Sequence, residues 1–224
     1  MKRAVLFDLD GTLLYTLGDL AYCTNEALHK YGYPVHAEEA YAWFVGDGAW
    51  NQVRRAMPPD AKEEEIRRVY EDYLALYQLH ALERTHPYPG ICRLLTGLKA
   101  DGYMLAVVSN KPHARTREVI AHYFPDTFDA VLGHQEGAPV KPDPQIVFSA
   151  LSELAIRTED AFYVGDTATD VYTAHNSHLP CAGVLWGFRG RKELKDAGAE
   201  ILCADPEELY TEIKAYFRNK PSSL

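Results

Sequence analysis

Phe7-Asp8-Leu9-Asp10-Gly11-Thr12-Leu13 is the stretch whose reading decides the fold. The residues before it, Ala4-Val5-Leu6-Phe7, are apolar throughout and predict a buried strand. Two carboxylates then follow two residues apart, where that strand should end. In extended backbone such residues point to one side, so Asp8 and Asp10 are expected to face one cavity. Gly11 permits a sharp turn directly after them. Two acids forced together repel, which invites a shared proton or a bound cation. An Asp-Gly turn that merely closes a strand is the alternative on these residues alone.

Downstream, helical spacing dominates as far as Pro87. Leu20, Cys23, Thr24, Ala27, Leu28 and Tyr31 predict a helix over 17–31 that stops at Gly32. A weaker helix is predicted over 37–44. After it, Val45-Gly46-Asp47-Gly48 places two glycines around an acid, and a further helix runs through Val53 and Ala56. The longest helix is expected to start at Pro58-Pro59-Asp60, with Ile66, Val69, Tyr70, Tyr73, Leu74 and Tyr77 as its apolar stripe. No strand is expected between Asp10 and Pro87.

At His86-Pro87-Tyr88-Pro89-Gly90 the chain stiffens, and beyond it strands alternate with helices. Strands are predicted over 103–108, 128–132, 161–164, 181–186 and 201–202. Asp143-Pro144 should open one helix, and Asp205-Pro206 another with Glu208 completing a capping box. Residues 219–224 are expected to fray. Alternating strands and helices imply a parallel sheet covered on both faces, and the helical block reads as an insert within it. The expected division is a core of 1–15 and 88–224 with a small all-helical cap at 16–87.

A chain of 224 residues, 47% hydrophobic and 25% charged, suits one α/β domain with a substantial insert. Its net charge of −9, without a lysine-arginine stripe, argues against nucleic acid as a partner. No apolar run is long enough to span a membrane. Met1-Lys2-Arg3 leads straight into the first strand, leaving no room for a removable signal. Four scattered cysteines look like core residues of a reducing compartment, so the protein is expected in the cytoplasm, as a monomer or homodimer.

In an open parallel sheet, ligands bind beyond the carboxyl ends of the strands. The sequence places Asp8 and Asp10 there, then Ser109, Asn110 and Lys111, then Asp166 and, a helical turn later, Asp170. Lys141, with its backbone kept extended by Pro142, falls between them. Singly, each has an ordinary reading as a cap, a turn or a solvated lysine. Four carboxylates at one edge, however, stay ionised only if positive charge joins them. Lys141 supplies one unit and a hard dication such as Mg2+ the rest. An acid nucleophile, an acid-base partner, a hydroxyl, a lysine and magnesium together suit phosphoryl transfer.

Four motifs in order, Asp8-Leu9-Asp10-Gly11-Thr12, Ser109-Asn110, Lys141-Pro142 and Gly165-Asp166-Thr167-Ala168-Thr169-Asp170, resemble those of the haloacid dehalogenase superfamily of phosphatases. The insert, Val45-Gly46-Asp47-Gly48 and Gly183-Val184-Leu185-Trp186-Gly187-Phe188-Arg189 are similar to its phosphoglycolate-phosphatase-like branch. The resemblance implies a Rossmann-like core and a cap that closes over the substrate. It implies Asp8 as nucleophile forming an aspartyl-phosphate, Asp10 as acid and base, and Lys141 as neutralising cation. Thr12, Ser109 and Asn110 would bind the phosphate, and Gly46, Asp47 and Gly48 would face the substrate. Mg2+ would be held by Asp8, Asp166, the Asp10 backbone carbonyl and Asp170. The implied partner is a small phosphorylated metabolite, and the implied reaction is hydrolysis of its phosphate monoester. Alternatives are a sugar-phosphate mutase of the same superfamily or a catalytically idle phospho-ligand binding protein. Two positions depart from the family pattern: Tyr15, where an acid is frequent, and His178, near a frequent glycine.

Overall fold

The computed structural model describes residues 2–220. It divides the chain into two compact units, Met1–Leu13 with Pro87–Leu224, and Leu14–His86. The chain starts in the first unit with β1 (Arg3–Phe7), every residue of which after Arg3 is buried. It then enters the second unit through β2 (Leu14–Tyr15), α1 (Leu17–Lys30), α2 (Tyr41–Phe44), α3 (Ala49–Ala56) and α4 (Glu63–His80), and leaves it at β3 (His86–Pro87). The first unit is completed by α5 (Ile91–Ala100), β4 (Tyr103–Pro112), α6 (His113–Tyr123), β5 (Ala130–His134), α7 (Gln145–Leu154), β6 (Ala161–Gly165), α8 (Ala168–Asn176), β7 (Cys181–Val184), α9 (Arg191–Asp196), β8 (Ile201–Cys203) and α10 (Pro206–Asn219).

Among the described residues the main sheet has six strands in the order β5-β4-β1-β6-β7-β8, all paired in parallel. The α/β class with a parallel, Rossmann-like sheet is therefore as the sequence predicts. From β1 the chain builds outward on one side through β4 and β5 and on the other through β6 to β8. The strand order thus reverses beside β1, the place where such sheets open a crevice. Period-two alternation splits the sheet between two cores. Ala4, Leu6, Ala106, Val108 and Tyr163 pack with Val147, Ala150 and Leu151 of α7 and Val171 and Ala174 of α8. On the other face Phe162 meets Phe217 of α10 at a ring separation of 6.4 Å.

The helical unit is held by buried polar pairs as well as by its apolar stripe. Asn25 accepts from the Tyr41 hydroxyl (2.8 Å) and the His36 N–H (3.0 Å) and donates to the His36 carbonyl (2.8 Å). Asp19, fully buried in the first turn of α1, accepts from the N–H groups of Arg84 and Thr85, both at 2.9 Å, and from the Thr85 hydroxyl at 2.6 Å. Tyr15, at the first departure from the family pattern, gives its hydroxyl to Glu38, and burial and that carboxylate push its phenol up to about 12.

Several local expectations are corrected. Residues 14–15 and 86–87 pair as β2 and β3, where no strand is expected; two residues are too few to carry a period. The 37–44 helix is split into a 3-10 turn, Glu38–Ala40, and α2. The longest helix starts only at Glu63, where the Glu65 side chain accepts from the Lys62 N–H (2.8 Å). The helix expected to open at Asp143-Pro144 begins at Gln145, whose N–H donates to Asp143 Oδ1 (2.9 Å). In α10, Asp205 caps as expected, but Glu208 accepts from the Ala204 N–H (2.6 Å). That helix is ordered to Asn219, and residues 221–224 of the expected frayed tail lie outside the described residues.

Two helix ends share one design. Beyond α1, the N–H of Gly32 bonds the His29 carbonyl (3.0 Å) and that of Tyr33 bonds Leu28 (3.1 Å). Beyond α8, the N–H of His178 bonds His175 (3.0 Å) and that of Leu179 bonds Ala174 (2.9 Å). Both are Schellman ends whose pivot needs a left-handed backbone, with φ of +73° at Gly32 and +57° at His178. His178, the second departure from the family pattern, occupies a conformation that favours glycine.

Candidate active site

The carboxyl ends of β1, β4 and β6 come together where the strand order reverses. Gly11, with φ at +90°, turns the chain away from β1 so closely past Asp166 that a Cβ there would lie 2.3 Å from its Oδ2. Asp8 follows β1 directly, and its N–H donates to the Val164 carbonyl (2.9 Å), extending the ladder with β6. From β6 the next residue is Asp166, and Asp170 stands in the first turn of α8. That helix is capped by Thr167, whose hydroxyl and N–H both donate to Asp170 Oδ2, at 2.7 and 3.1 Å.

Asp8, Asp166 and Asp170 offer carboxylate oxygens that all lie within 4.8 Å of one another. Lys141 joins them, its Nζ donating to Asp8 Oδ1 (2.6 Å), Asp170 Oδ1 (2.8 Å) and the Tyr163 hydroxyl (3.2 Å). All four are almost wholly shielded from water, at 7%, 0%, 2% and 4% exposure for Asp8, Asp166, Asp170 and Lys141. Burial pushes the Asp8 carboxyl up to about 7 despite the pull of the Lys141 ammonium. Burial, then the charges of Asp170 and Asp8, hold Asp166 well above the usual carboxylate range. Burial alone would favour a neutral Lys141, but the carboxylates of Asp170 and Asp8 outweigh it and keep its ammonium well above the usual range.

With all three acids ionised, one ammonium would leave two negative charges unbalanced in this buried cluster, and the raised Asp8 and Asp166 carboxyls express that deficit. Such a cluster is costly unless a cation completes it. The donors are all oxygens, which fits a hard dication of the magnesium type. The remaining donors brace the acids: Asp166 accepts from the Thr12 hydroxyl (2.9 Å) and the Phe188 N–H (2.8 Å). The Trp186 indole in turn donates to the Thr12 carbonyl (3.0 Å).

The expected sharing of one cavity by Asp8 and Asp10 is corrected in one respect. The Asp10 carboxylate stands outside the triad and is gripped by Lys111, whose Nζ donates to both of its oxygens at 2.8 and 3.0 Å. The expected end of the second strand at 108 is corrected too, since β4 runs on to Pro112. Its pairing with β5 slips there: Ser109 faces Gly133, yet Pro112 faces His134. That bulge re-aims the residues between. Asn110 exchanges bonds with the Lys141 backbone, accepting from its N–H (2.7 Å) and donating to its carbonyl (3.2 Å), and so anchors the lysine loop. Ser109 Oγ accepts from the Lys111 N–H (3.1 Å).

Thr12, expected among substrate contacts, gives its hydroxyl hydrogen to Asp166. Gly46, Asp47 and Gly48 lie in the other unit, between α2 and α3, where the Arg55 guanidinium is bound to the Asp47 carboxylate and donates to the Phe44 carbonyl (3.0 Å). The roles of Lys111 and Tyr163 were not legible in the sequence. The sequence places Lys111 at the carboxyl edge beside Ser109 and Asn110 but does not show its partner. Tyr163 reads as strand core, and its hydroxyl matters only once Lys141 is seen beside it.

A parallel sheet with carboxylates massed at its carboxyl edge defines a class of α/β enzyme that works through acids. The comparisons place the chain within that class: it belongs to the haloacid dehalogenase-like hydrolase family, whose sequence profile matches residues 5–184. It is 30% identical over 217 residues to the phosphoglycolate phosphatase of Haemophilus influenzae, covering 93% of this chain and 97% of that protein. The crystal structure of a protein described as a putative phosphoglycolate phosphatase from Lactobacillus delbrueckii superposes with a TM-score of 0.91 at 32% identity, over 95% of this chain and 99% of that one. CbbY from Rhodobacter sphaeroides, solved in complex with phosphate, superposes at 0.73 with 26% identity, over 93% and 96%. Among the described residues no helix is long and apolar enough to cross a membrane.

Proposed function

We propose that this hydrolase is a phosphatase that cleaves a small, phosphoglycolate-like phosphate monoester through a phospho-Asp8 intermediate. The observation that carries this reading is the buried triad of Asp8, Asp166 and Asp170, with the Lys141 ammonium on Asp8 and Asp170. The names borne by similar proteins point the same way. Asp8 attacks phosphorus while the bond to the leaving oxygen breaks, and Asp10 gives that oxygen a proton. Asp10 then takes a proton from the water that cleaves the aspartyl-phosphate. Ser109 and Asn110 orient the phosphoryl oxygens, and Lys141 offsets their charge. Asp8, Asp166, Asp170 and the Asp10 carbonyl would hold Mg2+, which when bound supplies charge stabilisation to the transferring group. Gly46, Asp47 and Gly48 are taken as contacts to the organic part of the substrate. Four cysteines, none bonded to another, support a cytoplasmic site of action.

Phosphate release from a panel of phosphorylated metabolites, ranked by kcat/KM, tests the reading. Turnover should be abolished by a chelator and fall by roughly 10⁴-fold or more in Asp8→Asn, with the fold retained. Substantial turnover by the purified variant would remove Asp8 from the nucleophile's role, and undiminished turnover in chelator would refute the metal.

A further inference from the structure

Asp10 stands beyond the end of β1 on the turn that Gly11 makes, and its side chain is twice as exposed as that of Asp8, 20% against 10%. A carboxylate on a turn keeps a fixed direction only if something grips it. Lys111 does so at both oxygens, and a cation that bridges the two fixes the plane of the group. Lys111 is itself rigidly based. Its side chain is only 6% exposed, its N–H is tied to Ser109 Oγ, and its carbonyl accepts from the Thr116 hydroxyl (3.1 Å). The neighbouring strand leaves no slack beneath it, since a Cβ on Gly133 would lie 2.5 Å from the Lys111 carbonyl oxygen and 2.4 Å from Thr116 Oγ1. The slip in β4–β5 pairing therefore delivers an ammonium to Asp10 from a backbone that does not give way.

We infer that Lys111 is the positioning residue of Asp10, holding the carboxyl in the direction from which it exchanges its proton. The inference rests on the phosphatase reading above. Lys111 neither gives nor takes a proton in the reaction. Asp10 passes one to the leaving oxygen as the phosphorus–oxygen bond breaks, and regains one from the water that attacks phospho-Asp8. A misdirected general acid fails most where the leaving oxygen needs protonation most. That gives the lysine a signature which a merely structural part would lack.

The test measures kcat/KM for the magnesium-loaded enzyme on 2,4-dinitrophenyl phosphate, phenyl phosphate and an alkyl phosphate, leaving groups of rising basicity. Lys111→Met should lose about 10²-fold on the alkyl ester and less than about 5-fold on the dinitrophenyl ester. Asp10→Asn should show the same bias, and the double variant should be no worse on the alkyl ester than Asp10→Asn alone. If Lys111→Met fails to fold by circular dichroism, Lys111→Arg replaces it, with a smaller loss biased in the same direction. Equal loss across the series in the lysine variant, beside a biased Asp10→Asn, overturns the inference and leaves the phosphatase reading standing. Equal loss in Asp10→Asn itself overturns the general acid, and the positioning residue with it.

Discussion

Each unit of the molecule buries aspartates, and the two treat them differently. In the helical unit Asp19 is complete: two backbone N–H groups and a hydroxyl meet its oxygens, and the Arg84 guanidinium lies 3.7 Å away. In the sheet unit Lys141 pairs with Asp8 and Asp170, and the three clustered acids would be two charges short of balance if all were ionised, so burial raises Asp8 and Asp166. Burial alone therefore does not mark a functional acid. A buried acid whose counter-charge is missing is the candidate for function.

The contrast can be broken most forcefully at its one internal cation. Lys141→Met would leave three buried carboxylates with no ammonium, and the metal-free protein should lose about 3–5 kcal/mol, read from the urea midpoint. A loss well under 1 kcal/mol would mean that the lysine does not hold the cluster together. Added magnesium should act in the opposite direction. Because the Asp8 carboxyl is pushed from 3.8 to about 7, the folded metal-free chain holds a proton that the unfolded chain releases. Its stability therefore falls as pH climbs through that window. Mg2+ at one fixed concentration, a hundredfold over its Kd at pH 8, should add about 2.7 kcal/mol at pH 8 and clearly less at pH 5, measured as a shift in Tm. An equal shift at both values would sink the charge-deficit account.

One substitution made in both units sharpens the comparison further. Asp19→Asn sets an amide against a backbone donor and should cost about 2 kcal/mol. Asp8→Asn removes surplus charge and should leave the metal-free protein as stable or more so, by denaturant titration. Losses of the same size in both would erase the distinction. The smallest effect lies at the two matching helix ends. His178→Gly gives α8 the residue that α1 already has in Gly32, and relief of left-handed backbone outweighs the looser unfolded chain by about 0.5 kcal/mol. A lower Tm would show that the His178 side chain earns its place by contacts.

The order of sheet and insert was legible because each strand of the sheet is short, apolar and bounded by turn residues, and the helical spacing of 17–80 is unbroken by any such run. The positions of Asp8, Asp166, Asp170 and Lys141 at strand ends were legible for the same reason, since a parallel sheet sends its carboxyl ends to one edge. The pairing partners were not. The second strand reads as ending at 108, yet β4 runs on to Pro112, where the register has slipped and a missing N–H costs little. A sequence also does not distinguish a lysine that bridges both oxygens of an acid a hundred residues away from one in solvent, which hid the bond from Lys111 to Asp10. Glu208 sits at the spacing of a capping box, and a shift of one residue in its acceptor geometry carries the bond to Ala204.

The paired strands at 14–15 and 86–87, with Asp19 binding residues 84 and 85, bring the two ends of the helical unit side by side. A segment closed in this way at its own neck is an exchangeable cassette. Its helices can be remodelled between those fixed ends while the acids at the sheet edge stay as they are.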